Sequence, residues 1–260
     1  MRVLVTGATG WLGTTVVSVV GQHYWVRATD RVVVPAPERG ESVVCDLGDW
    51  DSVRSVVDGI DAIVHVATSK NADDPGDLVH GSAGATANLF EAAVRAGIRR
   101  VVLMSSSAVV AGHPRETWID ADTPPRFRSL YGMSKWLQEE VARYYVAEYD
   151  VTAPILRPWS IVDADQRTER TGIRLEDMGE PYDHSGVFGW IDRRDVADAC
   201  LRALTADLSG APVLFLMANP LGRELMDVQT TESALDWRPI YDFAADIPDG
   251  LERITPQKLH

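Results

Sequence analysis

Tyr131 and Lys135 stand four residues apart in the string YGMSK, and three consecutive serines, Ser105, Ser106 and Ser107, end an apolar run upstream of it. On a helix, side chains four apart project from one face, about one turn from each other. A lysine ammonium beside a phenol favours the phenolate by charge and hydrogen bonding, and so lowers a pKa that is about 10 in free tyrosine toward the working pH. The phenol then becomes a usable proton acceptor or donor. A serine hydroxyl at a strand end can hold the substrate oxygen whose proton is exchanged. Taken singly, such pairs recur by chance in helices and such serines often cap turns. Their place in the chain is what gives them weight.

The chain opens MRVLVTGATGWLG. Arg2 to Thr6 read as a short buried strand, Gly7, Gly10 and Gly13 as a glycine-rich turn, and Leu12 to Val20 as the start of a helix. Gly7 allows a tight turn, Gly10 lets the backbone approach a pyrophosphate, and Gly13 lets the helix pack closely on the strand. The unpaired N–H groups and positive dipole end of the helix suit a diphosphate, so the turn points to a dinucleotide. His23 to Asp30 reads as a second strand that ends on an acid. There Asp30 can accept ribose hydroxyls and repel a 2′-phosphate, which favours NAD over NADP, while Arg31 beside it could instead hold such a phosphate. Ser42 to Asp46 is a third short strand, and its DLGD turn offers Asp46 to an adenine amino group and Asp49 as a helix cap before Trp50 to Val57. Ile60 to Val66 is a fourth strand, followed by the small residues Ala67 and Thr68, which would let a cofactor lie against the backbone.

A helix is predicted from Ala83 to Ala96 with Gly97 as its C-terminal stop, then a fifth strand from Arg100 to Ser105. The helix carrying Tyr131 shows Leu137, Val141, Tyr144 and Tyr145 as its apolar face. Regular strand–helix alternation with Val- and Ile-rich strands predicts an α/β fold, a doubly wound parallel sheet. Trp159 to Gly186 reads as an irregular polar stretch in which Arg167, Arg170 and Arg174 could grip a carboxylate or phosphate. Asp192 to Leu204 then reads as a helix burying Val196, Ala199, Cys200 and Ala203, and Val213 to Met217 as a further strand. The expected division is a dinucleotide-binding part over 1–157, onto which 187–217 packs back, and a small substrate-binding part over 158–260.

At 260 residues, with 45% hydrophobic and 24% charged, the chain suits one large α/β domain. No apolar run is long enough to span a bilayer, and no signal segment precedes the first strand, which predicts a soluble, cytoplasmic protein. A net charge of −13 excludes a nucleic-acid backbone as partner. Two distant cysteines, Cys45 and Cys200, suit a reducing compartment and lack metal-site spacing.

TGATGWLG, Asp30, CDLGD, HVA, SSSA, YGMSK, LRP, WIDRRDVADA and the closing SALDWRPIYDF stand in the order of the extended short-chain dehydrogenase/reductases, the NAD-dependent epimerase/dehydratase family, which the chain resembles over nearly its whole length. The resemblance implies Tyr131 as catalytic acid or base, Lys135 as its activator and ribose ligand, and Ser107, with Ser106 beside it, as the partner of the substrate oxygen. It also implies Gly7, Gly10 and Gly13 on the diphosphate, with Trp11 and Leu12 contributing backbone. Asp30 would take the ribose, Asp46 with Leu47 the adenine, and Val66 and Ala67 the cofactor's inner side. There are departures. Ser82 stands where the family usually has asparagine, WSIVDAD replaces a Tyr-Gly-Pro turn after Arg157-Pro158, and Asp236 replaces a glycine in the closing segment. The compact length, the GHP stretch and LYGMSK are similar to uronate dehydrogenases, which oxidise a free sugar acid at its anomeric carbon. That implies transfer of a hydride from a sugar or sugar-acid hydroxyl to NAD, with Tyr131 as base and one or more of the arginines, Arg170 and Arg174 foremost, on the carboxylate. Alternatives are a nucleotide-sugar 4-epimerase with tightly held NAD and a non-catalytic NAD-binding regulator. The family also implies a homodimer paired through the Tyr131 helix.

Overall fold

The apolar runs read from the sequence assemble into a seven-stranded sheet in the computed structural model, which describes residues 1–69, 74–177, 189–247 and 255–259. Its strands are β1 (Arg2–Thr6), β2 (Trp25–Asp30), β3 (Gly40–Val44), β4 (Ala62–His65), β5 (Val101–Met104), β6 (Ile155–Pro158) and β10 (Val213–Leu216), every neighbour parallel, in the order β10-β6-β5-β4-β1-β2-β3. Strands β4, β5 and β6 are buried along their full length. That explains their lack of polar alternation, because helices cover both faces of the sheet.

Helices α1 (Trp11–His23) and α6 (Arg193–Ala203) pack together over one face, and α2 (Trp50–Val56), α4 (Ala85–Arg95) and α5 (Leu130–Glu148) cover the other. The two faces carry separate cores, one around Val16, Val20, Val196 and Cys200, the other around Val53, Leu89, Phe90 and Ala142. Strand β1 matches its predicted run, β3 has the predicted length two residues earlier, and β2, β4, β5 and β10 are each up to a few residues shorter than their runs. Before α4, a short helix α3 (Pro75–Val79) and a wider π-type turn (His80–Gly84) extend the helical stretch upstream of the helix predicted from Ala83, whose first two residues belong to that turn.

Three expectations need correction. The first concerns the face of α5. Its buried positions are Ser134, Lys135, Gln138, Glu139, Ala142 and Tyr145, whereas Tyr144 is exposed and Leu137 and Val141 are only half-buried. The polar stripe lies inward because each member meets a fixed partner. Lys135 Nζ donates to Met104 O at 2.9 Å, and Gln138 Nε2 donates to Thr86 Oγ1 at 2.7 Å. Glu139 takes a two-pronged ion pair from Arg157 (2.8 and 2.6 Å) and a 2.5 Å bond from the Ser105 hydroxyl.

The second concerns the stretch after Pro158. In place of an irregular loop, β7 (Ser160–Asp163) pairs antiparallel with β8 (Thr168–Glu169) and parallel with β9 (Trp190–Asp192), a small separate sheet. Residues 178–186 of the predicted loop lie outside the described residues. The third is minor: β3 ends at Val44, so Asp46 sits in the following turn, where its Oδ1 accepts from Gly48 N at 2.9 Å.

Downstream, α7 (Pro220–Arg223) and α8 (Gln229–Leu235) follow β10. Asp236 ends α8 in the left-handed conformation, φ 46°, which is why a glycine is common at such a position. Trp237 is buried and its indole N–H donates to Asp195 O at 3.1 Å, while the Asp195 carboxylate accepts the backbone N–H groups of Ile240 and Tyr241. Among the described residues no helix is long and apolar enough to cross a membrane.

Glu139 and Arg157 are both essentially sealed from solvent. Glu139→Ala would leave a buried guanidinium uncompensated and is expected to cost about 3–5 kcal/mol of unfolding free energy, measured as a lower urea midpoint at unchanged slope.

Candidate functional site

At the sheet's switch point, β1 and β4 lie side by side while their connections leave toward opposite faces, and the crevice beyond their C-terminal ends is where ligands bind in such sheets. Gly7 follows β1 with φ 71°, and a Cβ there would come within 2.7 Å of Ala67 N beyond β4, so the two strand ends nearly touch. Gly13 is tighter still, since a Cβ would lie 2.0 Å from Gly7 O, which fixes α1 against the turn. At Gly10 a Cβ would meet only Gly7 O, at 3.1 Å, and Gly13 N, at the limit of contact, so one side of the turn stays open.

That open side faces a cavity of about 610 Å³, whose wall includes the turn, Asp30, Asp46, Leu47, Val66 and Ala67, all residues assigned to a cofactor from the sequence. The sequence reading missed Thr9. Asp30 Oδ2 accepts both the Thr9 N–H at 3.0 Å and the Thr9 hydroxyl at 2.6 Å, and Oδ1 accepts the Arg31 N–H at 2.7 Å. The carboxylate is thereby tied to the glycine turn. An open glycine cradle, an acid held beside it and a cavity running along the strand ends fit a dinucleotide such as NAD.

A second cavity of about 710 Å³ adjoins the first, sharing Trp11, Leu12, Val66 and Thr68 with it. Its wall holds Ser106, Tyr131, Lys135, Trp159 and Arg170. Tyr131 is positioned by the first turn of α5, where the Ser129 hydroxyl caps Gly132 N at 3.2 Å. Gly132 is required there, because a Cβ would lie 2.5 Å from Ala108 O. Trp159 approaches so closely that a Cβ on Gly189 would stand 1.9 Å from its ring.

The serine next to the phenol is Ser106. Its hydroxyl hydrogen-bonds Tyr131, while the Ser107 hydroxyl, assigned to the substrate oxygen from the motif, donates instead to Arg157 O at 3.1 Å in the interior. The cause is the short 3-10 turn Ser107–Val109, which begins after Ser106 and rotates the following serine inward. Three serines in a row hide this from the sequence, since only the turn decides which one faces the cavity.

The phenol's acidity also departs from expectation. Burial pushes the Tyr131 pKa above its usual value, against the opposing pull of the Ser106 hydrogen bond and the Arg170 charge. Lys135 Nζ is 6.0 Å from the ring centroid and donates to Met104 O. Of the three arginines, only Arg170 reaches the cavity wall. Arg167 pairs with Asp246, and Arg174 pairs in solvent with Glu176 at 2.7 Å, apart from the cavity. Ser82, in the family's asparagine position, is buried with its Oγ accepting from Ser69 N at 3.1 Å and 3.2 Å from Thr68 Oγ1.

His65, at the end of β4, is buried between Thr6 Oγ1 at 2.7 Å and Thr86 Oγ1 at 2.9 Å. Burial, reinforced by the Lys135 charge, holds its pKa down at about 3, so it stays neutral and serves as a fixed strut beneath the crevice. Among the described residues no group of three or more His, Cys, Asp or Glu side chains could hold a metal ion.

The sequence model of the NAD dependent epimerase/dehydratase family matches residues 3–214. Similar proteins include a uronate dehydrogenase of Pseudomonas syringae pv. tomato, 29% identical over 209 residues (75% of this chain, 76% of that one). An L-arabinose 1-dehydrogenase (NAD(P)(+)) of Haloferax volcanii is 28% identical over 255 residues (92% and 96%). The crystal structure of uronate dehydrogenase from Agrobacterium tumefaciens is similar with a TM-score of 0.78 at 26% identity, covering 94% of this chain and 86% of that one.

Removing either influence that lowers the phenol's pKa pushes it further up. For a reaction in which the phenol must lose its proton, Arg170→Ala and Ser106→Ala are each expected to move the acid limb of kcat/KM against pH to higher pH, and Arg174→Ala to leave it in place, as measured by steady-state profiles from pH 6 to 10.

Proposed function

The chain belongs to the NAD dependent epimerase/dehydratase family, and from that premise we propose that this NAD-dependent enzyme oxidises a sugar or sugar acid, with a free uronic acid as preferred substrate and its anomeric hydroxyl as the reacting group. The observation that carries the reading is the single arginine, Arg170, on the wall of the Tyr131 cavity. Its guanidinium matches one carboxylate, the group that separates a uronic acid from a neutral aldose. Relatives named for uronate and arabinose oxidation support the substrate class.

The cofactor would lie along the glycine turn, with Gly7 to Gly13 at the diphosphate, Asp30 at the ribose, Asp46 and Leu47 at the adenine, and Val66, Ala67 and Lys135 toward the reacting end. When bound, NAD supplies the hydride acceptor. The chain's own residues do the rest. Ser106 and Tyr131 hold the substrate hydroxyl between them, and Tyr131 Oη takes its proton. Arg170 holds the far carboxylate and also favours the phenolate. Trp159 and Leu12 wall the pocket against water, and the stretch after Pro158 forms the substrate side. Because burial raises the phenol's pKa, oxidation is favoured on the alkaline side, where more of the phenol is ionised.

Purified protein given NAD and a panel of uronic acids, neutral aldoses and UDP-sugars is expected to produce NADH, followed by absorbance, with kcat/KM highest for a uronic acid. Product from a UDP-sugar without net NADH would overturn the reading in favour of an epimerase. Tyr131→Phe is expected to lose about 10²–10⁴-fold in kcat, and Arg170→Ala to lose its effect on KM when the substrate is a neutral aldose.

A further inference from the structure

We propose that Glu169 sets the charge the substrate pocket accepts, so that the Tyr131 cavity takes a singly charged carboxylate at Arg170 and disfavours a doubly charged phosphate in its place. The inference rests on the reading of Arg170 as the carboxylate's partner. Glu169 ends β8, Arg170 follows it, and both line the cavity. Lys135, the other charged side chain on that wall among the described residues, donates to Met104 O on the catalytic side. The substrate side therefore holds one positive and one negative charge. A carboxylate on Arg170 leaves one surplus negative charge there, and a phosphate dianion leaves two. The flanking arginines do not make up the difference, because Arg167 is engaged by Asp246 and Arg174 by Glu176.

Glu169 is held in place by the turn that carries Arg170. Its Oε1 accepts the Thr171 N–H at 2.6 Å, the Thr171 hydroxyl and the Ile173 N–H at 3.4 Å. The turn closes through Glu169 N–H on Ile173 O at 2.9 Å and Gly172 N–H on Glu169 O at 3.0 Å, with Gly172 at φ 88°. Burial pushes the Glu169 carboxyl up, but the Thr171 and Ile173 bonds and the Arg170 charge outweigh it and hold it below its usual value. The side chain is thus ionised at neutral pH. An amide oxygen in the same place could accept the same bonds. The turn needs an acceptor at this position and not a charge, so the charge is free to act on what the cavity binds.

The test is calorimetric titration of the full chain, saturated with NADH so that nothing is oxidised, with glucuronate and with glucose 6-phosphate. The two sugars share ring and anomeric hydroxyl and differ at the charged end, and near about pH 8 the phosphate carries two charges. Glucuronate is expected to bind the unaltered protein more tightly. Glu169→Gln, which keeps the acceptor and removes the charge, is expected to tighten glucose 6-phosphate by about tenfold and glucuronate by about threefold, since the repulsion scales with ligand charge. That gain should shrink as salt rises from about 0.05 M to about 0.5 M, which a change in the turn alone would not produce. Glu169→Asp, which keeps the charge and shortens the reach to Thr171, should leave the ratio of the two constants within about twofold. Tighter binding of glucose 6-phosphate than of glucuronate to the unaltered protein, an unchanged ratio in Glu169→Gln, or an equal shift in Glu169→Asp would each overturn the inference while leaving the carboxylate reading of Arg170 standing. Binding of neither sugar would overturn that reading and the inference with it.

Discussion

The arrangement of the site depends on one buried ion pair. Arg157 comes from the end of β6, Glu139 from the inner face of α5 and Ser105 from the end of β5, and their bonds close within the interior. A charge pair sealed from water survives only when its bonds are geometrically well made. Helix α5 is therefore held at a fixed rotation over the strand ends, where a greasy interface would let it slide. Tyr131 and Lys135, about two turns and one turn before Glu139 along the same helix, inherit that rotation. The Ser107 hydroxyl on Arg157 O adds a bond between the serine turn and the same residue, so the turn that aims Ser106 is set by the same cluster.

Beneath the crevice a second polar chain has a similar effect. Thr6, His65, Thr86 and Gln138 connect β1, β4, α4 and α5 through successive hydrogen bonds. The glycine turn that begins after β1 and the helix that carries Tyr131 are thus joined by bonds whose directions are fixed, and the two adjoining cavities keep their relation to each other.

Much of the fold was legible because its signals are local. Strands buried on both faces read as unbroken apolar runs, and Gly7, with its left-handed φ, announced the turn it makes. Where the sequence misled, the deciding interaction lay far along the chain. The inward stripe of α5 is polar, and periodicity of apolar residues points to the wrong face whenever the buried residues are paired charges and amides. Nothing near Glu139 says that Arg157 will meet it. Likewise, which of three serines turns toward Tyr131 depends on a 3-10 turn that the string SSSA does not specify. Thr9 was overlooked because its role exists only once β2 has brought Asp30 beside the glycine turn. The small sheet of β7, β8 and β9 was unreadable for another reason: its strands are two to four residues long, and β9 comes some twenty residues after β8.

The anchoring of the closing segment on α6 has a consequence for how the chain is made. Asp195 and its backbone carbonyl accept from Ile240, Tyr241 and the Trp237 indole, and all three are synthesised some forty residues later. As the nascent polypeptide leaves the ribosome, α6 can form and its apolar side can settle on α1, but the Asp195 carboxylate lacks the N–H groups of Ile240 and Tyr241 until they have been synthesised. Burial raises its pKa to about 6 even in the finished protein, so sealing it away earlier, without those N–H groups, would be costlier still. The Asp195 carboxylate and the segment over 237–241 are therefore bound to each other energetically: loss of the segment's backbone N–H groups leaves a buried carboxylate without its acceptor bonds filled.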